Sequence, residues 1–228
     1  MSAFEISGAT DIGKVRRKNE DSFVVCNRNV SLAVVADGIG GHSHGEIASM
    51  LCCRGMAEYF TSAEEITSVQ EAADLLTQWG KKVNSSIFER NKKERNPRPM
   101  GTTLCAAIFL DNEIVSANAG DSRLYMLKDD KLQQLTRDHI VKQNGIQMLY
   151  RAVGISHELK LDIKILPAEA DRYILVSDGI YNSIDEKTIA DILASEAAAE
   201  DIVKALITSA NDNGGIDNLT AVAAIRRS

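Results

Sequence analysis

Four aspartates stand beside apolar stretches of this sequence, where they could bind metal ions. Asp37 and Asp178 each come directly after an apolar run and directly before a glycine. Asp121 also follows an apolar run, and Asp217 stands just before one. A single Asp-Gly pair is also a common turn, but four carboxylates brought to strand ends can converge. Such carboxylates repel one another unless a cation neutralises them, and Mg²⁺ and Mn²⁺ favour oxygen ligands. The pattern predicts a divalent-metal site, to which the carbonyl of Gly38 could also contribute.

A basic run stands directly before an acidic pair near the N-terminus, in the stretch TDIGKVRRKNED that ends at Asp21. A guanidinium group suits bidentate contact with phosphate, and Glu20 and Asp21 could hold metal-bound waters. The alternative is a charged surface turn in which Asn19 acts as a cap, since charge runs are usually solvated. On its own, this stretch favours the surface turn.

The composition is that of an ordinary folded protein. Of 228 residues, 44% are hydrophobic and 25% are charged, and a chain of this length favours a single domain over residues 1–228. The net charge of -6 makes nucleic acid a poor candidate ligand. No stretch reaches the ~18–20 apolar residues of a membrane span, and the start lacks the pattern of a signal peptide, so we expect a cytoplasmic protein without membrane contact.

The four cysteines do not have the spacing of a zinc site. Cys26 and Cys105 are isolated, and Cys52 and Cys53 are adjacent within a helix-like stretch. We therefore expect buried, reduced thiols that act as small hydrophobic residues.

Strand and helix signals alternate along the chain in blocks. Asp111-Asn112 and Asp129-Asp130 have the composition of hairpin turns, and the middle of the chain is predicted to be a β-meander. Apolar spacing predicts two pairs of helices that cover a sheet, at 45–60 with 64–93 and at 186–195 with 198–211. Short apolar, β-branched runs predict strands at 22–25, 32–36, 103–110, 114–118, 123–127, 161–166, 173–176 and 219–225.

Seven ordered motifs resemble a known family. They are TDIGKVRRKNEDSF, VVADGIGGHSHGEIAS, MGTTLCAAIF, NAGDSRLYML, LTRDH, ILVSDGIYNSI and DNLTAVAA, and they span nearly the whole chain. The set resembles the metal-dependent serine/threonine protein phosphatases of the PPM or type-2C class in their short bacterial form. The resemblance implies an α+β fold, a four-layer αββα sandwich in which two antiparallel β-sheets are flanked by helix pairs.

The resemblance also implies a binuclear site that holds two Mn²⁺ or Mg²⁺ ions, with a third ion bound weakly. Asp37 would bridge the two ions, Arg16 would bind the phosphate, and a bridging water would attack phosphorus without a covalent phosphoenzyme. Arg16 and Asp37 are thus the predicted catalytic residues. The residues implied as metal ligands, directly or through water, are Glu20, Asp21, Asp37, Gly38, Asp121, Asp178 and Asp217.

Two departures from the family pattern affect the expected mechanism. Some members have a histidine directly after the metal-binding Asp-Gly, whereas this chain has Ile39 there and His42 later, so the general acid is unassigned. The flap segment near 139–151 is shorter than in bacterial relatives. We therefore expect a more open site and weaker binding of the third ion at Asp121.

Two other functions are compatible with the same residues. One is a catalytically inactive phosphatase-like binding module. The other is a two-metal nuclease or phosphodiesterase, which the negative net charge of the chain disfavours. For the phosphatase, the expected partners are phosphorylated protein substrates of a serine/threonine kinase, and we expect a monomer.

Overall fold

The computed structural model describes residues 2–39, 44–95, 97–143 and 146–227. Two five-stranded antiparallel sheets form its centre. The first has the order β1-β12-β11-β6-β7, from Phe4–Asp11, Leu219–Arg226, Arg172–Val176, Arg123–Lys128 and Lys131–Gln134. The second has the order β10-β5-β4-β3-β2, from Asp162–Pro167, Glu113–Ala119, Leu104–Phe109, Ser31–Asp37 and Asp21–Asn27. A separate hairpin joins β8, Ile140–Gln143, to β9, Ile146–Leu149.

Helices cover the outer face of each sheet. The second sheet carries α1, Gly45–Ser62, and α2, Val69–Glu94. The first sheet carries α3, Asp178–Ser183, α4, Glu186–Ala194, and α5, Ala199–Asp212. None of the helices in the described part of the chain is long and apolar enough to cross a bilayer.

Strand alternation explains the layers. In β3, Leu32, Val34 and Ala36 face the layer under α1 and α2, whereas Ala33 and Val35 face the layer between the sheets. Both faces are buried, which is why this strand reads as a continuous apolar run. A third apolar layer lies between the first sheet and α3 to α5. The predicted αββα sandwich is confirmed.

All eight predicted strands and both hairpin turns are present. Asp129 and Asp130 adopt positive φ angles of 49° and 58°, as a tight two-residue hairpin requires. The helix predicted at 64–93 begins later, because Ser68 caps it by accepting a hydrogen bond from the backbone N–H of Glu71.

The predicted β-meander is wrong at its middle. β5 and β6 are consecutive in sequence but belong to different sheets. Gly120 causes the switch: its φ is +120°, and a Cβ there would lie 2.6 Å from the side chain of Thr103. The chain can therefore turn sharply from one sheet to the other and leave Asp121 between them. Five elements were not predicted, namely β1, β7, β8, β9 and α3.

Candidate active site

A cleft of about 830 Å³ lies where strands of both sheets end. β2 begins at Asp21, which pairs with Asp37 at the end of β3 in the second sheet. In the first sheet, β11 ends just before Asp178, and β12 begins just after Asp217. The residues that line this side of the cleft, called the carboxylate wall below, are Arg16, Glu20, Asp37, Gly38, Thr103, Asp121, Asp178, Asp217 and Asn218.

The carboxylates of this wall disfavour one another's charge. Burial, and then the nearby Asp21 and Asp178, raise the pKa of Asp37 well above its usual range. Burial and the charge of Asp217 also raise the pKa of Asp178. Burial, followed by the charge of Asp178, raises the pKa of Asp121 to about 6. These residues act electrostatically as one group, which a cation would stabilise.

Asp21 belongs to this group but lies behind the cleft. It is only 7% exposed, and the hydroxyl of Ser177 donates a 2.7 Å hydrogen bond to its Oδ2. Burial raises the pKa of Asp21 to about 7, although hydrogen bonds from Ser177 and Thr220 oppose the shift. Of the seven predicted metal-ligand residues, the other six line the cleft. Asp21 therefore faces the cluster from inside the protein.

Arg16 reaches the cleft from the loop between β1 and β2. Its Nη2 donates to Oδ2 of Asp217 at 2.6 Å, and this hydrogen bond raises the pKa of Arg16. The side chains of Arg16 and Asp217 are 45% and 28% exposed. Ion pairs this exposed contribute about 0–1 kcal/mol, so Arg16 can leave Asp217 for a phosphate at little cost.

Gly38 is required by its surroundings. A Cβ at this position would lie 2.5 Å from the backbone of Gly45 and 2.7 Å from the carbonyl oxygen of Glu20. The backbone N–H of Gly38 donates to that same carbonyl at 3.0 Å. Close backbone packing thus ties Asp37 and Gly38 to the start of α1 and to the loop that carries Glu20.

Two residues that support the site were not predicted. Asn218 accepts from the backbone N–H of Glu20 at 2.8 Å and donates to the carbonyls of Ile12 and Lys18 at 3.0 and 2.9 Å. It therefore fixes the loop that carries Arg16 and Glu20. The other is Ser177, which bonds Asp21. Their only sequence signal is that each adjoins a predicted metal ligand, Asp217 or Asp178.

The opposite side of the cleft, called the hairpin wall below, is built from residues 148–160. His139, 1% exposed at its side chain, joins the two walls. Its Nδ1 accepts from the backbone N–H of Gly120 at 3.1 Å, and its Nε2 lies 3.0 Å from Oδ2 of Asp162 and 3.1 Å from Nη1 of Arg151. The backbone carbonyl of His139 also accepts from the N–H of Tyr150 at 2.9 Å. One buried residue thus holds the Asp121 turn through its side chain and the base of the hairpin through its backbone.

The donor set fits hard divalent ions. Within the described residues, no three His, Cys, Asp or Glu side chains are grouped so that they could hold one metal ion among them. Mg²⁺ and similar ions retain several waters and use only one or two carboxylates each, so an open, all-oxygen cleft is the expected form of such a site. The raised pKa values of Asp37 and Asp178 indicate the same need for positive charge. Ile39 lines the cleft, and His42 lies outside the described residues.

Comparison with known proteins agrees with this arrangement. The family model described as protein phosphatase 2C matches residues 14–222. The chain belongs to this family. Its members are metal-dependent protein phosphatases, and the family resemblance predicted from the sequence is confirmed.

Named relatives come from several bacteria. The serine/threonine phosphatase stp of Listeria welshimeri is 33% identical over 93% of this chain and 92% of its own length. The crystal structure of serine/threonine phosphatase Stp1 from Staphylococcus aureus superposes with a TM-score of 0.90 at 27% identity, covering 100% of this chain and 98% of that one. The phosphatase PstP/Ppp of Mycobacterium tuberculosis gives a TM-score of 0.86 at 30% identity, covering 99% of each chain. This 2C-family chain is therefore similar to bacterial phosphatases along nearly its whole length.

Proposed function

We propose that this phosphatase hydrolyses phosphoserine and phosphothreonine in proteins at the carboxylate wall, with two Mn²⁺ or Mg²⁺ ions bound there and a third bound weakly. The observation that carries the proposal is the convergence of Asp37, Asp178 and Asp217 in one cleft. Arg16 also lines this cleft, and its side chain is 45% exposed. These aspartates are far apart in sequence, and both sheets contribute to their position.

In this proposal the carboxylates of Asp37, Asp178 and Asp217 and the carbonyl of Gly38 hold the ions. Glu20 acts through bound water, and burial raises its pKa, as does the neighbouring Glu46. When bound, the divalent ions lower the pKa of an attacking water and offset the charge that develops on the phosphoryl oxygens.

Arg16 binds the phosphate oxygens. Its guanidinium is held beside the cleft by the ion pair with Asp217, and the Asn218 hydrogen bonds fix the backbone of its loop. A planar guanidinium can contact two phosphoryl oxygens at once, which orients the phosphate over the carboxylates. Substituting Arg16 by Lys should therefore raise KM for phosphopeptides, because the ammonium cannot reproduce the bidentate contact.

We further propose that the substrates are phosphoproteins modified by a serine/threonine kinase, and that the enzyme acts as a cytoplasmic monomer. Support comes from the similarity to bacterial proteins named serine/threonine phosphatase stp and protein phosphatase PhpP.

The deciding experiment measures phosphate release from a phosphoserine peptide with Mn²⁺, with Mg²⁺ and after exhaustive chelation. We expect hydrolysis with added metal and none after chelation, and we expect Asp37→Asn to be inactive. An inactive wild-type protein that still binds the phosphopeptide would instead identify a binding module. Cleavage of a phosphodiester substrate at a comparable rate would support the nuclease alternative.

A further inference from the structure

Exposed large apolar side chains are concentrated in segments that contribute residues to the cleft. In the part of the chain that the structure describes, eight large hydrophobic residues are exposed, and all but Met50 and Ile165 belong to two such segments or to the hairpin and the residue after it. These six are Ile12, Val15, Ile216, Val141, Met148 and Tyr150. Single exposed hydrophobic residues are ordinary, but several on the segments that build one polar cleft indicate a binding surface.

Ile12, Val15 and Ile216, called the rim patch below, lie beside the carboxylate wall. Val15 is 65% exposed and Ile216 is 57% exposed. Each is the immediate chain neighbour of a residue that lines the cleft, Arg16 and Asp217 respectively. The rim patch therefore stands on the two segments that carry Arg16 and Asp217.

The backbone under the rim patch is firmly held. The N–H of Lys14 donates to the carbonyl of Gly215 at 2.7 Å, so the two segments touch directly. Gly13 has a φ of +77°, and a Cβ there would lie 2.2 Å from the carbonyl oxygen of Asp217. The Asn218 amide adds the bond to Ile12 described above. Because the segments are pinned this tightly, the exposure of their side chains is a fixed feature of the surface.

We propose that the rim patch binds an apolar side chain of the substrate protein, next to the phosphorylated residue. This inference rests on the proposed phosphatase function. A phosphoserine side chain is short, so when its phosphate reaches Arg16 the neighbouring residues of the substrate must lie against the rim of the cleft. There an apolar neighbour covers Val15 and Ile216 and removes their surface from water. A second copy of the chain is a poorer occupant, because three aliphatic side chains supply far less than the roughly 800 Å² per partner of a stable dimer.

The test compares two phosphoserine peptides of equal length and charge. One has leucine at the two positions on each side of the phosphoserine, and the other has asparagine at those positions. The enzyme, loaded with Mn²⁺, is assayed as the wild type, as Val15→Thr with Ile216→Thr, and as the control Ile165→Thr. Threonine keeps the β-branched shape while making the surface polar. Ile165 is 43% exposed on the edge strand β10 and is not a lining residue of the cleft.

We expect the wild type and Ile165→Thr to prefer the leucine peptide by a factor of about 3–10 in kcat/KM, the size that partial burial of one or two aliphatic groups supplies. The double variant should lose this preference. Equal kcat/KM on both peptides for the wild type, or a preference that survives in the double variant, would overturn the inference. So would a wild-type dimer in analytical ultracentrifugation that the double variant abolishes. Metal-dependent hydrolysis of both peptides without preference would refute the rim patch alone, whereas metal-independent or absent hydrolysis would refute the proposed function.

Discussion

The carboxylate wall and the hairpin wall of the cleft are held in different ways. Asp37 ends the interior strand β3, and its carbonyl accepts hydrogen bonds from the hydroxyl of Thr102 and the backbone N–H of Thr103. The hairpin β8–β9 instead forms its own two-stranded sheet, separate from the two large ones, and Met148 is 43% exposed. Isolated hairpins are marginally stable, so the β8–β9 hairpin depends on the contacts at its base, such as the hydrogen bond from Tyr150 to His139.

The difference indicates that the two walls have different roles in the protein. Buried carboxylates that repel one another must be held at fixed positions, which only the packed sheets provide. Within the hairpin wall, the β8–β9 hairpin has no buried side chain among its described residues, so the hairpin can change with less effect on the fold. We therefore expect large effects from changes in the carboxylate wall and small ones from changes in the hairpin.

The largest expected effect is on catalysis by Asp178→Asn. We expect kcat/KM on a phosphopeptide to fall by about 10³-fold, equivalent to about 4 kcal/mol, because the amide cannot supply the negative charge that holds the ions. The metal-free variant should be as stable as the wild type or more so, since repulsion with Asp37 and Asp217 is relieved. Enzyme kinetics and thermal unfolding in chelator measure both quantities. A variant that keeps activity within tenfold would contradict the role of Asp178.

The second effect is a pH dependence of stability in protein stripped of divalent ions. The pKa of Asp21 is raised from 3.8 to about 7 in the folded state. The folded chain therefore keeps a proton that the unfolded chain releases, and the free energy of unfolding falls as pH rises from about 4 to about 7. In urea unfolding, the free energy of unfolding should fall by on the order of 2–4 kcal/mol between pH 4 and pH 7.5.

Asp21→Asn is the control for this pH dependence. The amide does not titrate, so the variant should lose the part of the change that comes from Asp21 and keep the part that comes from Asp37, Asp121 and Asp178, whose pKa values are also raised. Excess Mn²⁺ should reduce the change in the wild type. If metal-free wild type were more stable at pH 7.5 than at pH 4, burial would not be the dominant influence on Asp21.

The third prediction concerns the support beneath the carboxylate wall. Asn218→Ala removes three hydrogen bonds of a side chain in a residue that is 5% exposed, which should cost about 2–3 kcal/mol in the free energy of unfolding. The control Asn213→Ala removes one exposed bond to the carbonyl of Ser209 and should cost less than about 0.5 kcal/mol. Equal losses in the two variants, measured by urea unfolding, would show that Asn218 does not hold the loop.

The sequence predicts the sheets better than the connections between them. Strands such as β3 and β12 are apolar over most of their length because both faces are buried, and their approximate boundaries follow from that pattern. The switch from one sheet to the other at Gly120 depends on close packing with Thr103, a residue distant in sequence. Local periodicity does not contain such a contact, which is why the meander prediction was wrong.

The site shows the same contrast. Aspartates at strand ends are visible as a pattern, and the structure brings Asp37, Asp121, Asp178 and Asp217 to one cleft. The supporting contacts of Asn218 and His139 join segments that only the fold brings together, so neither could be assigned from spacing. The β8–β9 hairpin was missed because each of its strands is only four residues long, too short for a clear alternating pattern. That its segment is shortened remains a prediction.

The fourth prediction concerns Asp121, where the two walls meet. Asp121→Ala should lower kcat/KM by about tenfold, or about 1.4 kcal/mol, because we expect its ion to be the weakly bound third one. Metal stoichiometry measured together with activity should show the loss of at most one ion. A loss of activity as severe as that of Asp37→Ala would show that Asp121 binds one of the two main ions and not the weakly bound third one.

The smallest expected effect is on stability, from a change in the hairpin wall. Met148→Ser should alter the free energy of unfolding by less than about 0.5 kcal/mol, because the side chain is already 43% exposed. The same substitution at Met56, which is fully buried on the inner face of α1, should cost about 2–5 kcal/mol. Urea unfolding of both variants measures the contrast directly. If Met148→Ser were destabilised as much as Met56→Ser, the hairpin would have to be part of the cooperative core, and its separation from the carboxylate wall would be incorrect.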